Sequence, residues 1–287
     1  MTTVTDLLNL LTLEKLSETE FMGNSKTVGS PNVFGGQVLA QAINAASRTI
    51  TNHRVLHSMH AYFLEAGNLE LPIIYNVSIV RDGGSFSVRR VTAKQNGTTI
   101  FILSASFHKK EDGYNHQMQM KTHLKQPEDL LSWTDILKQF GDFLPKNIKT
   151  FFEIERPVEF KPTEIVNPLD RKDLPPFSDV WFKLKGDVSK LDVAKKQQIL
   201  TYVSDYNILV SALNPHASVA HFGNTQTASL DHSMWYFRDF DFDDWLLFSM
   251  ESPNASNARG FARGNIFSRD GKLIASVAQE GLMRPKG

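Results

Sequence analysis

The chain has 287 residues, with 31 Lys and Arg balancing 31 Asp and Glu and no cysteine. Without cysteine there are no disulfides, thiolate nucleophiles or cysteine-held zinc, and a balanced charge gives no electrostatic reason to expect nucleic acid or an acidic membrane surface as partner. At 41% hydrophobic and 22% charged, the composition is that of an ordinary globular protein with room for one large domain or two small ones.

The stretch from Met1 to Lys15 carries Leu7, Leu8, Leu10, Leu11 and Leu13, interrupted by Asp6 and Glu14. It reads as a short amphipathic helix and not as a signal peptide, which would need a basic start and a small-residue cleavage site. No apolar run approaches the length of a bilayer span, and Pro285-Lys286-Gly287 is not a peroxisomal address. A cytoplasmic protein is the expectation.

A short β-like segment follows, Glu20 to Val28. Phe34-Gly35-Gly36-Gln37 then opens a helix from Val38 to Ile50 that is apolar or small around most of its circumference, so burial on nearly all sides is expected. The paired glycines permit close backbone approach and special dihedrals. They also leave a helix N-terminus free to offer amide hydrogens to an anion or a carbonyl oxygen; on their own, though, these residues favour a simple tight turn.

From Arg54 to Lys109 the pattern turns to β: His57 to Leu64, Ile73 to Arg81, then Ser85 to Lys94 and Thr98 to His108 flanking the hairpin signal Asn96-Gly97. A polar connection runs from Glu111 to Lys149 and contains a helical piece, Pro127 to Phe140. The second half restarts with β-like segments, Phe152 to Pro162 and Val180 to Gly186, around a loop with Pro168, Pro175 and Pro176. A second long helix is predicted from Lys195 to Leu213, stopped by Asn214-Pro215. Strands resume at Ser229 to Phe237, Trp245 to Ser252, Ala258 to Ser268 and Leu273 to Met283, the last two around Asp270-Gly271.

This order of elements occurs twice. The tripeptide His-Ser-Met recurs at an offset of 175, from His57 to His232, and the hairpin glycines Gly97 and Gly271 are offset by 174. Two copies of one α+β unit are therefore expected, each burying its helix against a curved antiparallel sheet. The implied division is residues 1–110, a connection at 111–149, and residues 150–287.

Familiar catalytic motifs are missing: no G-x-S-x-G elbow, H-E-x-x-H, P-loop or G-x-G-x-x-G occurs. His216 and His221 are five apart in a loop-like stretch, which does not give metal-ligand spacing. Attention falls instead on polar residues in apolar places. Asp205 sits in an otherwise apolar helix, where a carboxylate is costly unless bonded. It is either a structural partner for a helix or strand end or a base whose pKa burial raises, and the residues alone leave these level. Gln279 corresponds, at an offset of 174, to Ala105, so a long amide replaces a small residue in one repeat only, unless it merely faces solvent. Ser229 and Asp231 correspond to Arg54 and Leu56 and are also confined to the second half, whereas His232 is duplicated by His57 and so points to a feature of the shared fold. Arg259 and Arg263 suit phosphate, with a solvated strand face slightly favoured for each.

The chain resembles the acyl-CoA thioesterase II family along nearly its whole length. The resemblance is carried by Val33-Phe34-Gly35-Gly36-Gln37-Val38, the stretch His57 to Leu64, Arg81-Asp82-Gly83, the stretch Ser85 to Val91, Asp231-His232-Ser233-Met234-Trp235, Ala258-Arg259-Gly260 and Gln279-Glu280-Gly281. It implies two tandem hotdog domains and hydrolysis of acyl-CoA to a fatty acid and coenzyme A, with no metal or bound cofactor. It further implies a catalytic group of Asp205, Ser229 and Gln279, with Ser229 standing where many bacterial relatives have Thr, and direct attack by a water oriented by that group. A backbone amide, at a helix N-terminus for instance, would hold the oxyanion. Two other functions stay in view: a hotdog enoyl-CoA hydratase or dehydratase drawing on His57 or His232, and a non-catalytic acyl-CoA binding protein. Because exposed sheet edges invite pairing, a homo-oligomer is expected.

Overall fold

The computed structural model describes residues 1–286 apart from 52, 145 and 166–171; Pro168 of the expected proline-rich loop lies outside the described residues. In the first half, helix α1 (Val4–Leu11) is followed by β1 (Glu14–Lys15), β2 (Glu20–Gly23), helix α2 (Gly35–Ser47), β3 (Val55–Phe63), β4 (Ile73–Asp82), β5 (Phe86–Gln95) and β6 (Thr98–His108). The connection carries α3 (Trp133–Phe140), and α4 (Lys146–Glu153) straddles the boundary expected at residue 149. The second half runs β7 (Val158–Pro162), β8 (Phe177–Leu184), α5 (Val193–Ser204), α6 (Val210–Leu213), β9 (Thr225–Ser229), β10 (Asp231–Tyr236), β11 (Leu246–Ser256), β12 (Arg259–Ser268) and β13 (Leu273–Pro285).

Local chemistry sets most boundaries. Thr3 and Asp6 form a reciprocal capping box that starts α1, and Ser132 with Asp135 does the same for α3. Asn96 and Gly97 both take positive φ (46° and 81°), as a two-residue hairpin turn between β5 and β6 requires. Strand β5 alternates, sending Ser87, Val91, Ala93 and Gln95 inward together with Arg89.

Among the described residues all strands join in one antiparallel sheet, in the order β1-β2-β4-β5-β6-β3-β10-β13-β12-β11-β8-β7, with β9 pairing β13. The order β4-β5-β6-β3 is mirrored by β11-β12-β13-β10, so the architecture is α+β with two tandem hotdog units. The halves meet where β3 runs antiparallel to β10 and Met59 lies directly opposite Met234. Those two residues are equivalent in the 175-residue repeat, so a pseudo-twofold axis passes between them. Helices α2 and α5 lie side by side under this sheet, joined by Asn44 Nδ2 donating to Gln198 Oε1 at 3.0 Å. Ten of the thirteen α2 residues are buried, as its apolar circumference demands. The helix ends at Arg48, whose guanidinium donates to the Leu13 carbonyl and lies 4.5 Å over the Phe21 ring.

Several boundaries differ from the sequence pattern. The helix expected through Leu213 stops at Ser204, because Asn207 adopts the left-handed conformation (φ 67°) and breaks the ladder. The strand expected from Ser229 to Phe237 is two strands parted at Leu230. Phe152 belongs to α4, and its strand begins only at Val158.

The repeat offset also changes along the sheet. Met59 pairs Ala105 while Met234 pairs Val277, and Arg89 pairs Ala105 while Gly264 pairs Val277. The last strand is therefore offset by 172, so the counterpart of Gln279 is Phe107 and not Ala105. Likewise the buried Arg89 corresponds to Gly264, whereas an offset of 174 would match it to Arg263, whose side chain is 60% exposed. Arg89 is held by Asp82 at 2.9 Å and by the Thr49 hydroxyl and carbonyl, which a buried guanidinium needs.

Candidate active site

The two helices bring together residues from both halves of the chain. Asp205 is the C-cap of α5, and its carboxylate meets the N-terminus of α2. Phe34 caps α2 without any side-chain hydrogen bond, and the Gly36 amide donates instead to Asp205 Oδ2 at 2.8 Å. Asp205 thus does for α2 what an N-cap side chain ordinarily does, so the structural reading of this carboxylate holds for one oxygen. It also means that the Gly36 amide at this helix N-terminus is already committed and is not free to meet an oxyanion.

The paired glycines serve close approach and not special dihedrals, since neither has positive φ. A Cβ on Gly35 would lie 2.7 Å from Asp205 Oδ2, and one on Gly36 would lie 2.4 Å from the Tyr202 carbonyl oxygen.

The other Asp205 oxygen, Oδ1, accepts from the Ser229 hydroxyl at 3.2 Å, and Ser229 Oγ accepts from Gln279 Nε2 at 2.9 Å. The three residues singled out in the sequence are therefore one hydrogen-bonded group. Gln279 is placed by a change of partner within β13: Ala278 pairs Ser233 of β10, whereas Gly281 pairs Ser229 of β9. Asp231 secures that crossover by accepting from the Glu280 amide at 2.7 Å. Asp231 is thus structural.

Asp205 and Ser229 keep partial solvent access, while Gln279 is buried behind them at 1% exposure. Protein surrounds the Asp205 carboxylate, and burial pushes its pKa from 3.8 up to about 6; the Gly36 amide, Ser229 hydroxyl and Gln279 amide pull it partly back. At neutral pH the group is mostly ionised yet ready to take a proton. A carboxylate has about four acceptor positions, so the two bonds described leave it able to accept further hydrogen bonds.

The histidines divide. His57 bonds Ser106 Oγ through Nε2 at 2.8 Å and packs against Phe86 and His108, away from the trio. His232, discounted in the sequence because His57 duplicates it, is fully buried and bonds the Gln279 carbonyl oxygen through Nδ1 at 2.5 Å. Its Nε2 meets Ser204 Oγ at 3.0 Å. Arg259 and Arg263 pair with Glu280 and Glu251 on an exposed strand face. A cavity of about 290 Å³ lies among α3, α4 and β7, with Trp133, Phe152, Arg156 and Phe160 in its lining, and none of the trio reaches it. Gly36 and His232 are the contributors that sequence reasoning undervalued. The glycine pair before a helix was the available signal for the first; the second was visible in the His-Ser-Met repeat, but the repeat itself pointed to a feature of the shared fold.

A double hotdog sheet thus sets an acid where its two helices meet and bonds it to a hydroxyl and, through that, to an amide on neighbouring strands. The chain belongs to the acyl-CoA thioesterase family. The family model described as Acyl-CoA thioesterase matches residues 147–282, and that described as Acyl-CoA thioesterase N-terminal domain matches residues 23–108. The chain is 41% identical to acyl-CoA thioesterase 2 of Haemophilus influenzae, covering 97% of both sequences. It is 37% identical to human acyl-coenzyme A thioesterase 8, over 96% of this chain and 88% of that one. Among solved structures, an acyl-CoA thioesterase II from Mycobacterium marinum is 33% identical with a TM-score of 0.78, covering 98% of each chain.

Proposed function

We infer that water is the attacking nucleophile in this enzyme's hydrolysis of acyl-CoA thioesters, and that Asp205, Ser229 and Gln279 place it. The observation that carries this is the Asp205 carboxylate, raised to about pKa 6 and fixed between the Gly36 amide and the Ser229 hydroxyl. A base with its pKa near the working pH combines a useful ionised fraction with real basicity. The water oxygen adds to the thioester carbonyl carbon while its proton passes to Asp205. The tetrahedral intermediate then expels sulfur, and Asp205 returns the proton to the departing thiolate. Ser229 and Gln279 hold the water against the carbonyl by their donor and acceptor positions.

One observation favours a second reading. The Ser229 hydroxyl points directly at Asp205, which could deprotonate it for covalent attack. Single-turnover reactions followed by intact-protein mass spectrometry separate the two. Water attack predicts no acyl-enzyme at any time, and an adduct on Ser229 would overturn it. A thiol-release assay across short, medium and long acyl-CoA substrates separates hydrolysis from hydration and from binding without turnover.

The chain is further proposed to act in the cytoplasm as a homo-oligomer, with hotdog units at 1–110 and 150–287 and the connection between them. Exposed apolar side chains such as Ile79, Val80 and Phe86 support association, and light scattering of the purified chain measures it. No helix among the described residues is long and apolar enough to cross a membrane.

A further inference from the structure

We propose that His232 is a positioning residue that holds the Gln279 carboxamide in the one orientation that aims its N–H at Ser229. The proposal rests on the assignment of Asp205, Ser229 and Gln279 as the water-handling group.

A glutamine amide can turn over, exchanging its carbonyl oxygen for its NH2 group, and only its partners decide which end faces where. Here Gln279 lies between Ser229 Oγ on one side and His232 Nδ1 on the other. If Nδ1 carries the ring proton, it donates to Gln279 Oε1, and Nε2 of the amide is left to donate to Ser229. Ser229 then spends its single proton on Asp205. If Nδ1 were bare, the amide NH2 would turn toward the ring. Its oxygen would then face Ser229 and draw the hydroxyl proton away from Asp205.

The Asp205 carboxylate selects the first arrangement because it only accepts: Ser229 donates to it, so Gln279 Nε2 donates to Ser229 and Nδ1 to Gln279 Oε1. Burial drives His232 down to about pKa 4, so the ring is neutral at working pH and carries one proton only. Ser204 Oγ, at 3.0 Å from Nε2, can supply the hydrogen that the bare nitrogen accepts. Its alternative acceptor is the Thr201 carbonyl within α5 at 2.8 Å. All hydrogen bonds then run one way, from Ser204 through His232, Gln279 and Ser229 to Asp205. His57, the duplicate, bonds Ser106 and has no amide to orient, because the counterpart of Gln279 is Phe107.

The test is a double-mutant cycle on acyl-CoA hydrolysis. His232→Leu removes the donor and is expected to lower kcat on the order of 10-fold with KM unchanged, the scale found when a group that orients a functional side chain is lost. His232→Asn, whose amide N–H can sit near the place of Nδ1, is expected to recover most of it. In a Gln279→Ala background His232→Leu should cost nothing more, because there is no amide left to orient. If His232→Leu does not fold, Ser204→Ala takes its place, with a smaller kcat loss that also vanishes in the Gln279→Ala background. An equal kcat loss in both backgrounds, or unchanged kcat in His232→Leu beside a disabled Gln279→Ala, would overturn the proposal alone. Full activity of Gln279→Ala would overturn the trio and the proposal with it.

Discussion

Replacing Asp205 by Asn should abolish hydrolysis and stabilise the fold, by an amount that depends on pH in a defined way. The carboxyl has a pKa of 3.8 in the unfolded chain and about 6 in the folded one. Because the folded value is the higher, the folded state binds the proton more tightly, and stability falls as pH rises from about 4 to about 6. A shift of about two units at 1.36 kcal/mol each amounts to about 3 kcal/mol lost above pH 7, about half of that at pH 5, and almost nothing at pH 3. Asn keeps the shape and can still accept from the Gly36 amide, yet carries no titrating charge. At roughly 2 °C per kcal/mol for a chain of this size, the variant should gain about 6 °C in Tm on the wild type between pH 4 and pH 8. Thermal melts at one-unit pH intervals, paired with a thiol-release assay, measure both effects. A gap between the two proteins that stays flat from pH 4 to pH 8 would refute the reasoning about burial, and retained activity in the Asn variant would refute the role of the acid.

Gln279→Ala should lower kcat about 100-fold, the scale of losing one donor from a catalytic group, because it removes the amide that holds the Ser229 hydroxyl toward Asp205, with little change in KM, as steady-state kinetics can determine. Ser229→Thr should stay active because the hydroxyl is kept, whereas Ser229→Ala should keep a slow residual rate under water attack; complete loss in Ser229→Ala with an acyl adduct in the wild type would favour covalent catalysis. Gly36→Ala should destabilise the fold by about 2 kcal/mol or more, since overpacking a close backbone contact typically costs 1–3 kcal/mol and the new methyl would meet the Tyr202 carbonyl at 2.4 Å; an unchanged Tm would show that α2 can slide away from α5. Wild-type kcat/KM should fall tenfold per pH unit below about pH 6 as Asp205 takes up its proton, and a profile flat down to pH 5 would exclude Asp205 as the base.

Much of the fold was legible because its signals are local. The Asn96-Gly97 turn, the alternation along β5 and the apolar circumference of α2 each follow from a few neighbouring residues. The recurrence of His-Ser-Met and of a hairpin glycine exposed the duplication. Exact equivalences were not legible. Ladders drift by bulges, such as those near Ala93 and Ile266, and no spacing in the sequence records them. That is why Gln279 was matched to Ala105 and not to Phe107. The end of α5 was also hidden, since an asparagine within an apolar run does not announce a left-handed turn. The trio came from family resemblance, and its residues proved to be mutually bonded. Gly36 and His232 depend on contacts across 169 and 47 residues of chain, a range at which sequence pattern carries no geometry.

The two helix ends beneath the sheet have one further consequence. In a duplicated fold, whatever is built at the end of α5 has a twin location at the end of α2. At the first stands an acid, Asp205; at the second stands Arg48, engaged with Leu13 and Phe21. Opposite charges at matched positions mean that the Asp205 arrangement has no copy at the end of α2. The proposed water-handling group therefore occurs once per chain, where two unfused copies that each carried it would hold two. The end of α2 is instead a packing site for the N-terminal segment.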